Sequence, residues 1–332
     1  MTDPGHPSAV TIGLHIVDIL GRPVESIPPG QGVALIDEIR MTVAGTAAGT
    51  AIDLAKLGID VATFGVVGND ELGVWLRSKM DKVGIDVRGL AIAEEYPTSA
   101  TLLPIRPNGD RPALHVLGAN AALSPAHLDM GVISRARVLH VGGACLLPGL
   151  DGEPTARLLE QAQAAGVITT MDLIGMPDAD HEAIFGPCYP HLDYFLPNDE
   201  DALMLSGAPT LPEAIAWLHE RGVGTTVVSL GEDGACLSAS PTEHHVVPAF
   251  EVDVVDTTGC GDAFSAGFIT GLIEGMEPLA ATELGVAAGS MVATGLGSDA
   301  GISTRRSVDD FTSRTPRRSS AHAGLGGAAF SS

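Results

Sequence analysis

Apolar, β-rich runs alternate with helical patterns along most of this chain, and that alternation limits the folds open to it more than any other feature. Residues 61–67 follow the helical stretch 49–57, and residues 167–173 follow 155–165. Repeated strand–helix units predict βαβ crossovers and a mostly parallel sheet with helices on both faces. The helical assignments rest on spacing: Ile52, Ala55 and the Leu54/Leu57 pair share one face, and Gly58 supplies a C-terminal stop. Two regions break the rhythm. Residues 12–41 are rich in Gly and Pro, and residues 98–118 carry Pro107-Asn108-Gly109-Asp110 between two short apolar runs, the signature of a β-hairpin. Together they are expected to form a small β flap over the ligand edge of one doubly wound α/β domain spanning 1–303. Residues 304–332 shift to Arg, Ser, Gly and Ala with little periodicity and are expected to be a disordered tail, its five arginines against two aspartates leaving a weak anion-binding arm as the alternative.

Charge narrows the function. With 18 Lys and Arg against 41 Asp and Glu, the formal net charge of -23 repels nucleic acid and anionic lipid, so neither is an expected partner. No apolar stretch approaches the roughly 20 residues of a membrane span, and the N-terminus lacks a basic segment followed by an apolar run. Cys145, Cys188, Cys236 and Cys260 are scattered without disulfide or zinc spacing, which fits a reducing cytoplasm. A chain this acidic that binds an anion must do so largely with backbone N–H groups, helix N-termini and metal ions.

Residues 252–272 meet that requirement. An apolar strand ends in Asp256, a Gly259-Cys260-Gly261 turn follows, and a helix of small residues opens near Asp262. The turn aims backbone N–H groups and a helix dipole at one point. A carboxylate at the mouth of such a site can orient a hydroxyl and take its proton while the N–H groups hold phosphoryl oxygens. Taken alone, Gly-x-Gly-Asp is equally open to an N-cap aspartate that only satisfies helix donors.

The longer string Asp256-Thr257-Thr258-Gly259-Cys260-Gly261-Asp262-Ala263-Phe264 resembles the C-terminal signature of ribokinase-like carbohydrate kinases of the phosphofructokinase-B type, with Cys260 where that family usually has Ala. Ala44-Gly45-Thr46-Ala47-Ala48-Gly49, Gly65-Val66-Val67-Gly68-Asn69-Asp70 and Gly118-Ala119-Asn120-Ala121 resemble other family segments, in the family's order. The resemblance covers residues 11–303. It implies an ATP- and Mg²⁺-dependent kinase acting on a hydroxyl, a primary alcohol, of a sugar or sugar-like polyol. Asp262 is the implied base, with Gly259, Cys260 and Gly261 as the anion loop. Asp18, Gly45, Thr46 and Gly49 are the implied substrate contacts. Asn198, Ser229, Gly231, Gly234 and Gly261 are implied for ATP, and Asp201 for Mg²⁺ through water, with Glu200 beside it as a substitute. Asp256 and Thr258, with the backbone around Val292, Gly295, Gly297 and Gly301, are implied for K⁺. A homodimer paired through the flap is a further expectation.

The sequence also departs from the pattern. Gly49 stands where a sugar-binding Asn is usual, and Val141-Gly142-Gly143-Ala144 lacks a glutamate that ribokinases carry, so space for a bulkier or differently oriented substrate is expected. The Cys260 thiol is expected to be open to oxidation. A nucleoside kinase of the same fold and a non-catalytic sugar- or nucleotide-binding sensor are the competing readings.

Overall fold

The computed structural model describes residues 6–108, 110–298 and 300–319. The larger sheet is built from β1 (Ala9–Gly13), β4 (Val61–Gly68), β5 (Asp86–Ala93), β8 (Val138–Ala144), β9 (Ile168–Leu173), β10 (Tyr194–Phe195), β11 (Thr225–Ser229), β12 (Ala235–Ser240) and β13 (Glu243–Val247). Its order is β13-β12-β11-β10-β9-β8-β1-β4-β5, parallel from β11 to β5 and antiparallel at β12 and β13. Alternate strand residues feed two separate cores. Ala9, Val61 and Val138 pack against helices Thr46–Lys56, Cys260–Glu274 and Pro278–Val292, whereas Val10, Ala62 and Leu139 pack against helix Glu153–Ala164 on the other face. Burial on both faces explains why the strands read as continuous apolar runs.

The chain leaves β1 in one direction along the sheet to β4 and in the other to β8, so the winding reverses at β1. Such a switch point opens a crevice beyond the carboxyl ends of the strands. Gly13 makes the join tight: at φ +140, a Cβ there would sit 1.9 Å from the Gly142 carbonyl oxygen.

Over this crevice lies the flap, a four-stranded sheet in the order β3-β2-β6-β7, from β2 (Ile16–Arg22), β3 (Glu38–Ala44), β6 (Ala100–Pro104) and β7 (Leu114–Val116). Its hairpin is the one expected from the turn at 107–110, of which Gly109 lies outside the described residues. The first half of the flap spans 16–44, a correction to the 12–41 read from composition. Ile12 and Gly13 belong to β1 and pair with Val141 and Gly142, because the run 9–13 is wholly buried.

The expected disordered tail is corrected in the same way. Helix Arg305–Arg314 is N-capped by Thr304, whose hydroxyl accepts from Ser307 N at 3.1 Å. It docks through buried Val308 and through Phe311, whose ring lies 5.0 Å from that of Phe250. Two apolar anchors three residues apart are too few to register as periodicity. The remainder of the expected tail, 320–332, lies outside the described residues.

Candidate active site

Gly259, in the left-handed region at φ 79, caps helix Cys260–Glu274 and turns the chain sharply into it. A Cβ at this position would meet Ser298 Cα at 2.5 Å. The Cys260 N–H is engaged by the Thr257 carbonyl at 3.3 Å, while those of Gly261 and Asp262 belong to the first turn, where a helix offers no internal acceptor. Open space surrounds Gly261. The turn read from the sequence as an anion loop is therefore formed, with Gly261 at its exposed edge.

Asp262 sits where this helix meets helix Thr46–Lys56. Thr50 Oγ1 donates to the Asp262 carbonyl at 3.3 Å, and the carboxylate presses on Gly49, where an added Cβ would fall 2.4 Å from Oδ2. Burial pushes the Asp262 carboxyl well above the ordinary carboxylate range, and the charges of Asp172, Asp53 and Asp18 push it further. The room expected at Gly49 is thus taken by Asp262 itself. The room expected at Gly142 and Gly143 is also filled, by the Ala47 backbone in one case and by Leu14 and Thr46 in the other.

The flap presents two unlike faces. Thr42, Asp18, Thr101 and His115 stand in one row across its strands, and the next row is Met41, Ile19, Leu102 and Leu114. Asp18 is the member that acts on Asp262, which places the polar row toward the anion loop. Its own carboxyl is pushed up to about 6 by burial, against the Thr101 hydrogen bond and the Arg111 charge. Gly45, at φ +89 with a Cβ position 2.5 Å from the Leu14 carbonyl oxygen, opens helix Thr46–Lys56 beneath this row. The hydroxyls of Thr42 and Thr46 are buried and have no hydrogen-bond partner in the protein. A buried hydroxyl left unpaired is costly, and a polyhydroxylated ligand would satisfy both.

On the other side of Gly261 lies a pocket between the β11–β12 turn and helices Cys260–Glu274 and Pro278–Val292. Ser229, Gly231, Gly234 and Gly261, four of the residues expected for ATP, line it together with an apolar wall that includes Phe250, Val252 and Val254. Asn198 is not in the lining. It caps helix Asp199–Ser206, its Oδ1 accepting from Asp201 N at 2.7 Å. Arg318, from the stretch expected to be disordered, reaches the pocket rim and pairs with Glu232 at 2.8 Å.

A slot with an apolar wall thus ends at the turn into helix Cys260–Glu274, beside a carboxylate under the flap, and comparison with known proteins supplies the family. The sequence profile described as "pfkB family carbohydrate kinase" matches residues 7–305. The chain belongs to the pfkB family of carbohydrate kinases. It is 31% identical over 271 residues to an ATP-dependent ribose-1-phosphate kinase of Halopiger xanaduensis, covering 81% of this chain and 86% of that protein. It is 26% identical over 275 residues to the ribokinase of Haemophilus influenzae, covering 80% and 86%. The crystal structure of a Thermotoga maritima ribokinase superimposes with a TM-score of 0.80 at 26% identity, covering 93% of this chain and all of that one. The kinase thus has the ribokinase fold.

The acids of this kinase fit a divalent cation. Asp201 is pushed up to about 6 by burial and then by Asp172, Glu200 and Asp199, and Asp172 in turn is the foremost charge acting on Asp262. A carboxyl pushed up by neighbouring carboxylates is relieved by a cation between them. Among the described residues no three His, Cys, Asp or Glu side chains gather as a metal cage.

The residues expected to hold K⁺ also converge, with Gly297 N donating to Asp256 Oδ2 at 2.8 Å and Gly295 N to the Val292 carbonyl at 3.1 Å. A Cβ added at Gly301 would meet the Met291 carbonyl oxygen and would itself lie 3.1 Å from Val292 N. The Arg111 guanidinium, however, already faces Asp256 there. The Cys260 thiol is pushed up to about 12 by burial, with Asp256 and Asp262 adding to it against Arg111. Burial thus favours the thiol over the more readily oxidised thiolate at this position.

Four contributors escaped sequence reasoning. Asp172 had one available signal, a lone acid near the end of a buried apolar strand. Thr42, Thr101 and Arg111 had none, since only the pairing of the flap brings them to the crevice.

Proposed function

We propose that this kinase transfers the γ-phosphoryl group of ATP to a hydroxyl, a primary alcohol, of a sugar or sugar-like polyol. The observation that carries the proposal is the position of Asp262, between the apolar-walled pocket at Gly261 and the polar row of the flap. The acceptor hydroxyl gives its proton to Asp262, its oxygen forms the new bond to the γ-phosphorus, and the bond to the β–γ bridging oxygen breaks to release ADP. The N–H groups of Gly261 and Asp262 and the dipole of their helix stabilise charge on the transferred oxygens. Asp18, Gly45, Thr42 and Thr46 grip the remaining hydroxyls, and Ser229, Gly231 and Gly234 seat the nucleotide. Asp201 and Asp172 would hold Mg²⁺ through water, and the ion would supply charge that offsets the phosphates. The K⁺ implied by the family resemblance is left out of this scheme, because Arg111 already supplies a positive charge at Asp256.

The test is ADP release across a panel of sugars, polyols, sugar acids, sugar phosphates and nucleosides, with the product identified by phosphorus NMR. A phosphomonoester on a primary carbon of a sugar is expected. Preference for nucleosides would replace the acceptor class, and ligand binding without ADP release would leave a sensor.

The outward row of the flap supports a homodimer through it. Ile39 and Leu114 are 70% and 62% exposed, and with Met41 and Leu102 they form an apolar face unusual on an otherwise acidic surface. Light scattering is expected to give the mass of two chains, and Leu102→Lys that of one. No helix among the described residues is long and apolar enough to cross a membrane.

A further inference from the structure

Arg111 lies in the loop joining β6 to β7, at the tip of the flap, yet its side chain reaches across the crevice to the segment that leads into the anion loop, which is irregular and not the strand expected to end in Asp256. Its Nη1 donates to the Thr258 hydroxyl and lies 3.9 Å from Asp256 Oδ1. The Thr258 hydroxyl passes the contact on, donating to the same carboxylate oxygen at 2.8 Å, and Thr258 N donates to it at 3.0 Å. With Gly297 N on Oδ2, Asp256 carries three hydrogen bonds and a guanidinium, although its side chain is only 3% exposed. A buried carboxylate so furnished has no unmet charge. The same guanidinium lowers the Asp18 carboxyl and the Cys260 thiol, so it is shared between the flap and the anion loop.

We propose that Arg111 is a positioning residue that supplies, from the flap, the positive charge a monovalent cation would otherwise bring to Asp256, so that closing the flap completes the anion loop and the reaction runs without K⁺. A guanidinium stays charged at every pH the protein meets, and it gives a directional hydrogen bond to the Thr258 hydroxyl while facing the Asp256 carboxylate. A second cation at Asp256 would lie within a few ångströms of this one and be repelled by it. Because the guanidinium rides on the flap, the charge arrives only when acceptor and flap are in place, which limits phosphoryl transfer to water.

The proposal rests on the kinase reading for its rate measurement but not for its melting measurement. Wild type and Arg111→Ala are compared in K⁺ and in tetramethylammonium at constant ionic strength. Wild-type Tm is expected to be the same in both salts and its kcat to differ by less than about twofold. Arg111→Ala is expected to lose at least about tenfold in kcat with KM for ATP little changed. Its Tm should rise by about 2–4 °C in K⁺, since the vacated site now binds the ion. Millimolar guanidinium should restore part of the variant's rate and leave the wild type unaffected, and Arg111→Lys should keep more activity than Arg111→Ala. A rise of wild-type Tm in K⁺, or an Arg111→Ala protein indistinguishable from wild type in rate and in salt response, would overturn the proposal. Absence of ADP release on every acceptor would sink the kinase reading, and the melting comparison would still decide the role of Arg111.

Discussion

Replacing Gly49 by alanine is expected to lower kcat by about 10²-fold while leaving the fold close to its original stability. A methyl group there falls 2.4 Å from Asp262 Oδ2, 2.9 Å from Cγ and 3.1 Å from Cβ, so the carboxylate must move. The atoms displaced are the end of a side chain rather than backbone, so the cost falls on the alignment of Asp262. A misplacement of about 1 Å at a reacting group costs on the order of 10² in rate. Stability is a contest between two terms. Alanine gains about 1 kcal/mol over glycine inside a helix such as Thr46–Lys56, and overpacking costs about 1–3 kcal/mol. The terms nearly offset, so Tm should move by only a few degrees. Asparagine, the residue usual in the family, collides in the same way and adds a longer side chain, so it should impair catalysis at least as much and should not restore a sugar contact. Gly49→Ala or Gly49→Asn retaining more than about half of wild-type kcat would show that Asp262 is not held where the structure has it.

What was legible in the sequence divides along physical lines. Patterns set by local chemistry could be read: the buried runs of β1 and β4, the hairpin around residues 107–110, and the turn into helix Cys260–Glu274 all follow from neighbouring residues. The anion loop was legible for the same reason, since its glycines and aspartate are contiguous. Features that depend on distant strands were not. Thr42 and Thr101 become neighbours of Asp18 only through flap pairing, and Arg111 meets Thr258 across 147 positions of sequence. The meaning of Gly49 was misread because a missing side chain was taken for empty space, whereas a side chain 213 positions later fills it. Helix Arg305–Arg314 was missed because Val308 and Phe311 bury into a groove that no local pattern announces.

Asp262→Asn tests the central claim most directly. Asparagine keeps the size and reach of the side chain but cannot take a proton from the acceptor at neutral pH. A general base contributes about 10²- to 10⁴-fold, so kcat should fall within that range while the Kd values for ATP and acceptor stay near those of the wild type. The fold should be at least as stable. Because the folded protein holds the Asp262 proton more tightly than the unfolded chain does, ionising it costs stability as the pH rises above the ordinary carboxylate range, and asparagine removes that cost. The same shift sets the pH dependence. Wild-type kcat should climb with pH as Asp262 loses its proton, along a limb displaced above the usual carboxylate range by burial and by Asp172, Asp53 and Asp18, and this limb should vanish in the variant. The decisive measurement is kcat for purified wild type and Asp262→Asn, by ADP release with saturating ATP, Mg²⁺ and acceptor, across the pH range. The expected result is a loss of about 10²-fold or more with the acid limb gone. A folded variant that keeps more than about a tenth of wild-type kcat, with the limb unchanged, would contradict the role of Asp262 as the base.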